Sequence, residues 1–393
     1  MRAPVPAAPP TAPVATNTLV IGAGQAGLAA AYYLQQAGID FRVLEAGATA
    51  GSAWAARYDS LRLFSPAWAS GLPGFAWPAP PLHYPTRDET TAYLRAYAAH
   101  FSFPLELGQR VIRLAAAPQQ AGYVVSTAAG RGYHARRVIV ATGPYTAPHV
   151  PAWAAQLPAA VAQLHSRAYQ RPAQLPGPGP VAVVGSGNSA LQIAADVAAT
   201  GRAVVAAFDE HTPALPNNQL MWALLAATRL LRVPRHTALG RFMRGRPEPV
   251  VRGDLARLRG FANVAFIGRA TGALPTGGLQ GTTAASGPLA AVVWATGYRP
   301  AYAWIALPII AADGHPQHQR GLTAAPGVAF LGLDWLDSRG SALLNGAGTD
   351  ARRVVAALLA APGQCPNVVE TQPGISGLNH HKPPPERAGY LST

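Results

Sequence analysis

The sequence contains almost no cysteine. Cys365 is the only cysteine among the 393 residues. A single thiol cannot form an intramolecular disulfide, a CxxC redox pair or a cysteine-rich zinc site. This absence excludes a disulfide reductase, because such an enzyme needs a redox-active cysteine pair.

Long apolar runs and metal-binding motifs are missing as well. No stretch of 18 apolar residues occurs without a polar interruption, so no membrane span is expected. The histidines are scattered and show no HExxH spacing, so no metal is assigned. The first 16 residues are rich in alanine and proline, and the prolines break any signal-peptide core. We therefore expect a flexible N-terminal tail over residues 1–16 and a cytoplasmic protein.

Lysine is nearly absent, because Lys382 is the only lysine among 31 basic residues. Against 17 acidic residues this gives a net charge of +14. Nine arginines lie between Arg229 and Arg259, where the only acids are Glu248 and Asp254. No nucleic-acid-binding motif accompanies them, so no nucleic-acid partner is expected. We interpret the segment as a solvated, partly helical surface insert, and contact with a membrane surface is the alternative.

The first motif that carries chemistry joins a strand to a helix. An apolar strand leads into Gly22, Gly24 and Gly27, a helix pattern follows to about Ala37, and Gly38 ends it. The first glycine permits the tight turn, the second lets a pyrophosphate approach the backbone, and the third lets the helix pack on the strand. A second strand, 41–44, ends at Glu45, where a carboxylate can accept hydrogen bonds from a ribose. This pattern predicts a dinucleotide site. Its candidate residues are Gly22, Gly24, Gln25, Ala26, Gly27 and Glu45.

About 160 residues later the chain repeats the plan as GxGxxA, again between a strand and a helix. Its candidate residues are Gly185, Gly187, Asn188, Ser189 and Ala190. Two such units predict two dinucleotide cofactors that face one reaction centre. Each unit is followed by a strand that ends in Ala-Thr-Gly, where small residues let the chain turn close to a cofactor. These candidates are Ala141, Thr142 and Gly143, and Ala295, Thr296 and Gly297.

An ordered series of segments resembles the flavin-containing monooxygenases, in particular their short bacterial branch of FAD/NAD(P)-dependent oxidoreductases. Besides the two glycine motifs and both Ala-Thr-Gly segments, the series includes Gly51 with Trp54, YDSLRLFSP at 58–66, LPG at 72–74, YPTRDETTAYLRAYA at 84–98 and GVAFLGLDWLDSRGSALLNGAGTDA at 327–351. The resemblance covers roughly residues 17–360. It implies that the first unit holds FAD, with Trp54 near the cofactor, and that the second holds NADPH or NADH.

The sequence departs from this family at two places. The family's FxGxxxHxxxY fingerprint is only half present: His165 and Tyr169 match, whereas Ala159 and Val161 replace the phenylalanine and the glycine. His165 and Tyr169 are retained as cofactor-binding candidates. Phe64 stands where the eukaryotic members carry an active-site asparagine, so no catalytic side chain is assigned.

The choice between NADPH and NADH depends on the residues after the second strand of the second unit. Asp209 and Glu210 stand there, and two acids repel a 2′-phosphate but accept from a free 2′-hydroxyl. We expect NADH preference or use of both coenzymes. Arg202, or an arginine of the 229–259 segment, is the candidate that would reverse this.

The resemblance implies hydride transfer from NAD(P)H to FAD and then reaction with O2 to a C4a-(hydro)peroxide. That species would oxygenate a small apolar amine, sulfide or ketone. The alternatives are an NAD(P)H oxidase or flavin reductase that oxygenates nothing, and a non-catalytic, transport-associated redox flavoprotein. Residues 211–275 and 60–77, with Trp68, Phe75 and Trp77, are candidate walls of the substrate site.

The order of the motifs predicts an α/β fold with two Rossmann-like dinucleotide-binding domains, the NAD(P) domain being inserted into a discontinuous FAD domain. We expect the FAD domain over 17–150 and 290–362, the NAD(P) domain over 151–289, and a C-terminal tail over 363–393. A helix is predicted from Asp350 to Ala361. We also expect a homo-oligomer.

Overall fold

The computed structural model describes residues 12–118, 120–209 and 211–360. The predicted C-terminal tail, Cys365, Lys382 and Glu210 lie outside these residues. Within them, no helix combines the length and the apolarity that crossing a bilayer requires.

The helices and strands alternate along most of the chain. The α-helices are α1 (Gln25–Gln36), α2 (Ser52–Ala55), α3 (Arg87–His100), α4 (Asn188–Ala198), α5 (Gln219–Thr228), α6 (Ala238–Arg244), α7 (Arg252–Arg259) and α8 (Leu344–Ala360). Short 3-10 helices cover Ala67–Ala69, Ala152–Gln156, Pro172–Gln174, Leu230–Arg232 and Arg339–Ala342.

The strands before the second glycine motif are β1 (Val14–Ile21), β2 (Phe41–Leu44), β3 (Leu105–Glu106), β4 (Val111–Ala116), β5 (Tyr123–Thr127), β6 (Gly132–Val140), β7 (Ala147–Pro148) and β8 (Ala162–His165). The later strands are β9 (Val181–Val184), β10 (Val204–Ala207), β11 (Ala214–Leu215), β12 (Val250–Val251), β13 (Val264–Phe266), β14 (Ala270–Ala273), β15 (Leu279–Gly281), β16 (Ala291–Trp294), β17 (Tyr298–Arg299), β18 (Ile305–Ala306) and β19 (Val328–Phe330).

The first sheet has the order β18-β4-β5-β6-β1-β2-β3, and β19 pairs with β6. Strands β3, β2, β1, β6 and β19 run parallel, so their carboxyl ends meet at one edge. Helices α1 and α8 pack against each other. Their buried side chains are small or aliphatic and include Leu28, Leu34 and Val354. This edge, at the ends of β1, β6 and β19, is where a doubly wound sheet binds its ligand.

The second sheet has the order β13-β10-β9-β16-β8 and is parallel throughout. Its central strands β9 and β16 are buried at every position. Strands covered on both faces require such continuous apolar runs, which explains their composition. With the first sheet, this arrangement gives the two-Rossmann α/β fold that the sequence predicts.

Two expected boundaries differ from the structure. Strand β1 begins at Val14, inside the predicted 1–16 tail, because Val14 and Ala15 pair with Tyr133 and His134 of the long strand β6. Strand β16 belongs to the second sheet, although residues 290–362 were assigned to the first domain. The return to the first sheet therefore follows Trp294, and β18 and β19 complete it.

Helix α8 begins at Leu344, six residues before the predicted start at Asp350. Its first turns contain Gly346 and Gly348. In the structure these glycines allow close packing: a Cβ at Gly348 would lie 2.5 Å from Pro73 Cγ, and one at Gly346 would overlap the carbonyl of Gly340. Tertiary packing thus overrides the low helix propensity of glycine.

The arginine-rich segment, residues 229–259, is partly helical as predicted but is also attached to the first unit. Arg235 donates from its backbone to the Asp337 carbonyl and from its side chain to the carbonyls of Trp335 and His318. Burial lowers the pKa of Arg235, as is usual for a cation removed from water. The segment is therefore fixed to the first unit at Arg235.

Candidate functional site

The turn between β1 and α1 has little room except at one glycine. Gly22 has φ +108°, and a Cβ there would lie 2.6 Å from the Ala141 carbonyl oxygen. A Cβ at Gly27 would overlap the Gly22 carbonyl. At Gly24, by contrast, an added Cβ meets no atom within 4 Å. Gly22 and Gly27 are thus required by packing, whereas Gly24 leaves open space in front of the helix.

The second turn repeats this geometry. Gly185 has φ +146°, and a Cβ there would overlap the Ala295 carbonyl oxygen, while Gly187 has open space. Ala190 is buried in the place of the third glycine. The alanine of each Ala-Thr-Gly segment therefore packs on the first glycine of one dinucleotide turn. This pairing gives both segments a structural role at the two candidate sites.

The N-termini of α1 and α4 are open to an anion. Neither has a side-chain cap or an acidic residue in its first turn. Helix α3 shows the opposite case, because Thr86 and Glu89 close its N-terminus in a capping box. Free N–H groups and the positive end of the helix dipole suit a phosphate. The described residues therefore fit a pyrophosphate at both turns.

Glu45 follows β2 directly, at the expected distance from the first turn. Its two carboxylate oxygens accept hydrogen bonds from the backbone N–H groups of Ala23 and Gly47, each at 2.8 Å. These bonds fix the carboxylate beside the turn. Carboxylate oxygens have further lone pairs, so Glu45 can still accept from a ribose hydroxyl.

Gln25 and Trp54 lie together, but their polar atoms are bound to protein. The Trp54 indole donates to Gln25 Oε1 at 2.9 Å, and Gln25 Nε2 donates to the Ala342 carbonyl at 3.2 Å. Ala26 is buried beneath Gly332. These residues hold α2 and the segment before α8 against the start of α1.

Asp334 is a further candidate site residue, and the motifs of the sequence do not include it. It follows β19 at the edge where β1 and β6 also end, one residue beyond Leu333. Its side chain is exposed to solvent on one side. The protein around the carboxyl group removes part of its hydration, and this desolvation, together with the nearby Glu248, raises the pKa of Asp334 to about 6. The signal was present in the sequence, since Gly332 and Asp334 follow a third buried strand. A carboxylate at this edge can accept from hydroxyl groups of a ligand.

His165 lies beside the second Ala-Thr-Gly segment. Its Nδ1 accepts from the Arg167 backbone N–H at 3.1 Å, so its Nε2 carries the proton and donates to the Gly297 carbonyl at 3.0 Å. Burial lowers its pKa, which favours this neutral form. Both ring nitrogens are used within the protein. His165 therefore holds the Gly297 turn in place.

Tyr169, the other cofactor-binding candidate of the half-matched fingerprint, lies behind α4. Tyr169 is fully buried, and its hydroxyl donates to Asp196 of α4 at 2.8 Å. It therefore belongs to the core behind α4.

Side chains from both units meet in front of α4. Tyr58 is buried, and its hydroxyl donates to Gln192 of α4 at 3.0 Å. Burial raises the Tyr58 pKa to about 12. Arg57 donates to the Tyr298 hydroxyl at 2.9 Å and lies over the Tyr145 ring. These contacts join the first unit to the second at the edge where both turns open.

The two predicted walls of the substrate site touch each other. Phe64 stacks on Trp222 of α5, and the Trp222 indole donates to the Phe64 carbonyl at 3.1 Å. Trp68 is half exposed and lines a groove of about 450 Å³ with residues of the 71–81 segment. Trp77, however, stacks on Tyr93 at 4.1 Å in the core. Phe64 and Trp222 thus form an apolar margin beside the contacts that join the two units.

The residues that bear on coenzyme choice lie at opposite ends of β10. Arg202 precedes the strand and donates to the carbonyls of Gly179, Leu175 and Pro176, so it is not placed to meet a coenzyme phosphate. Asp209 follows the strand, and its backbone N–H donates to Ser186 of the glycine turn at 2.9 Å.

An arginine of the arginine-rich segment lies nearer to this turn. Val251 donates its N–H to Asn188, the first residue of α4, at 2.8 Å. The next residue, Arg252, is exposed and donates to the Ala214 carbonyl at 3.3 Å, in the stretch that follows Asp209. Arg252 thus lies between the helix start and the chain beyond β10.

Comparison with known proteins adds the following matches. A family model described as pyridine nucleotide-disulphide oxidoreductase matches residues 19–224. An "uncharacterized oxidoreductase CzcO-like" of Geobacillus kaustophilus is 37% identical over 345 residues, which is 86% of this chain and 97% of that protein. The "uncharacterized oxidoreductase CzcO" of Bacillus subtilis is 30% identical over 86% of this chain and 98% of its own length. The solved structure of a flavin-containing monooxygenase from Stenotrophomonas maltophilia superposes with a TM-score of 0.71 at 31% identity, over 88% of this chain and 99% of that one.

Proposed function

Since the chain belongs to the pyridine nucleotide-disulphide oxidoreductase family, we propose that this flavin-dependent oxidoreductase is an NAD(P)H-dependent monooxygenase of small apolar molecules. The similar structure from Stenotrophomonas maltophilia is that of a flavin-containing monooxygenase. The family name refers to disulfides, but a chain with one cysteine has no thiol pair for that chemistry. Oxygenation of an amine, a sulfide or a ketone is the reaction class that we assign.

The observation that carries the proposal is the pair of open dinucleotide turns facing one junction. We assign FAD to the first turn, with its pyrophosphate at Gly24 and the start of α1 and a ribose at Glu45. The nicotinamide coenzyme is assigned to the second turn, at Gly187 and the start of α4. FAD supplies the redox chemistry with O2, and the coenzyme supplies hydride.

Side chains near the two turns fix their relative position and cover one side of the space between them. Tyr58 and Arg57 fix the first unit to α4 and to Tyr298, so they hold the two turns in register. The apolar margin of Phe64 and Trp222 keeps water from one side of the junction. No proton-transfer residue is assigned.

The proposal predicts coupled product formation. With a sulfide, a tertiary amine or a cyclic ketone as substrate, NAD(P)H oxidation is expected to speed up and to yield about one oxygenated product per coenzyme consumed. Product by mass spectrometry and H2O2 by peroxidase assay are measured together. Stoichiometric H2O2 with every substrate would instead support an oxidase or flavin reductase. Flavin that neither coenzyme reduces would indicate a non-catalytic protein.

Coenzyme choice is proposed to depend on Asp209 and Arg252 acting in opposite directions. Asp209 can accept from a free 2′-hydroxyl, whereas Arg252 is the described arginine that we place near a 2′-phosphate. Because each coenzyme gains one favourable partner, we propose use of both NADH and NADPH, with no hundredfold preference for NADPH.

Arg252→Ser is expected to lower kcat/KM for NADPH by about 10- to 100-fold, because a charge-assisted hydrogen bond is worth about 1.5–3 kcal/mol. The value for NADH is expected to stay nearly constant. Arg259→Ser is the matched control, since Arg259 is exposed at the other end of α7. Steady-state kinetics with both coenzymes provide the measurement. An equal loss for NADH and NADPH would assign Arg252 a structural role instead.

A further inference from the structure

Helix α5 leaves an apolar face uncovered. Leu220, Ala223, Leu224 and Ala227 follow the i, i+3, i+4, i+7 spacing of one helix face and all four are exposed, Leu220 at 79% and Leu224 at 56%. Only Trp222 of this helix is buried. A stable surface helix normally turns such a face toward the core, so this face needs a partner.

The uncovered face continues onto the first unit. Gln219, at the start of α5, hydrogen-bonds the Trp68 indole and the Leu82 carbonyl. Trp68 and Leu82 are themselves 42% and 62% exposed. We call Trp68, Leu82, Leu220 and Leu224 the α5 patch. It adjoins the apolar margin of the candidate substrate site through Trp222 and Phe64.

Arginines surround the next helix, and acidic partners are scarce. On α6, Leu239 and Phe242 are exposed, and Arg246 lies over the Phe242 ring at 4.5 Å. Among the residues that the structure describes, the ion pairs include none of Arg229, Arg232, Arg241, Arg244 and Arg246. The two acids of the segment are engaged elsewhere, Glu248 with Arg339 and Asp254 with Gln192.

We propose that the α5 patch and the arginines of α6 and its flanks bind the surface of an anionic lipid bilayer. Exposed leucines and aromatic rings insert among acyl chains and headgroups, while arginines meet the lipid phosphates. A second copy of the chain fits less well, because a twofold contact through this face would bring the two arginine clusters together. Nucleic acid would satisfy the arginines but leave the leucines exposed to water.

The contacts of Arg235 fix the proposed bilayer-binding surface to the first unit. The segment between α5 and α6 is fixed to the first unit by Arg235 and by the bridge between Pro234 and Ser338. Binding at the bilayer would therefore hold the whole enzyme, with the Phe64 margin beside the lipid. An apolar substrate dissolved in the membrane would reach the junction from that side.

The test is vesicle flotation of the FAD-loaded, full-length protein. It is expected to float with phosphatidylcholine vesicles that contain phosphatidylglycerol and not with pure phosphatidylcholine, and added salt is expected to release it. Replacing Arg232, Arg244 and Arg246 by Ser should weaken partitioning by roughly 100-fold, at about 1 kcal/mol per arginine. Leu220→Ser with Leu224→Ser should weaken it at least about tenfold.

Matched substitutions in and beside the strands of the first sheet serve as controls. Arg110, Arg113 and Arg136 are exposed arginines outside the segment, and Leu107 and Ile112 are 42% and 53% exposed. Their replacement by Ser is expected to leave flotation unchanged. The proposal is wrong if the wild type does not float, if it floats equally with both vesicles, or if the control arginines matter as much. Self-association without vesicles that Leu220→Ser and Leu224→Ser abolish would assign the face to a second copy. None of these readouts depends on oxygenation.

Discussion

A Gly24→Val variant is expected to fold normally and to purify without bound FAD. A Cβ at this position meets no protein atom within 4 Å, and the backbone φ of −83° suits any residue. The added side chain would instead occupy the space through which a pyrophosphate approaches the N-terminus of α1. Losing two charge-assisted hydrogen bonds of about 1.5–3 kcal/mol each predicts a loss of FAD affinity of roughly 100-fold or more.

The measurement is flavin absorbance per protein after gel filtration, followed by titration of the apoprotein with FAD. Circular dichroism and thermal unfolding show whether the fold is intact. Gly287→Val is the control, since Gly287 also has open space, lies outside both turns and is exposed. Gly22→Ala, by contrast, should damage the fold itself, because its Cβ collides with the Ala141 carbonyl. A Gly24→Val variant with full FAD content would contradict the assignment of the FAD pyrophosphate to the start of α1.

Both dinucleotide turns could be predicted from sequence because their geometry is local. Strand, turn, helix and second strand follow one another within about thirty residues, and φ above 0° at Gly22 and Gly185 needs glycine there. The end of α1 before Gly38 and the strand Phe41–Leu44 are confirmed for the same reason. The nested arrangement of the two sheets also follows from the order of the motifs along the chain.

Features that depend on distant contacts were predicted less well. The sequence could not show that Tyr169 would be covered by Asp196, or that Arg202 would be bound to three carbonyls at the far end of β10. The early start of α8 depends on packing of its glycines against Gly340 and Pro73. In each case the deciding partner lies at least 23 positions away or belongs to another element, so no local pattern predicts it.

The Ala-Thr-Gly segments have a structural role that the sequence did not predict. Small residues there were expected because a cofactor approaches closely. The structure adds that Ala141 and Ala295 pack their carbonyls against Gly22 and Gly185. Asp334 is an intermediate case: the buried strand before it is visible in the sequence, but only the pairing of β19 with β6 places it at the edge of the first sheet.

A Gly187→Val variant is expected to keep its FAD and to lose reduction by the nicotinamide coenzymes. Gly187 occupies in the second turn the place of Gly24 in the first, with open space at its Cβ and a backbone φ of −101°. The blocked N-terminus is that of α4, so the flavin site is untouched. Because the same phosphate contacts are lost, anaerobic flavin reduction by NADH or NADPH at subsaturating coenzyme should slow roughly 100-fold or more.

Stopped-flow absorbance of the flavin bands measures this rate, and dithionite provides the control, since it reduces flavin without a coenzyme site. The two valine variants therefore separate the two sites: Gly24→Val should lose the flavin, and Gly187→Val should retain a flavin that dithionite alone reduces at the wild-type rate. Reduction of Gly187→Val by NADH at the wild-type rate would contradict the assignment of the coenzyme to the second turn. Loss of FAD from Gly187→Val would show that the two turns do not act as independent sites. The junction of Tyr58 with Gln192 is then the contact through which a change in α4 would reach the flavin.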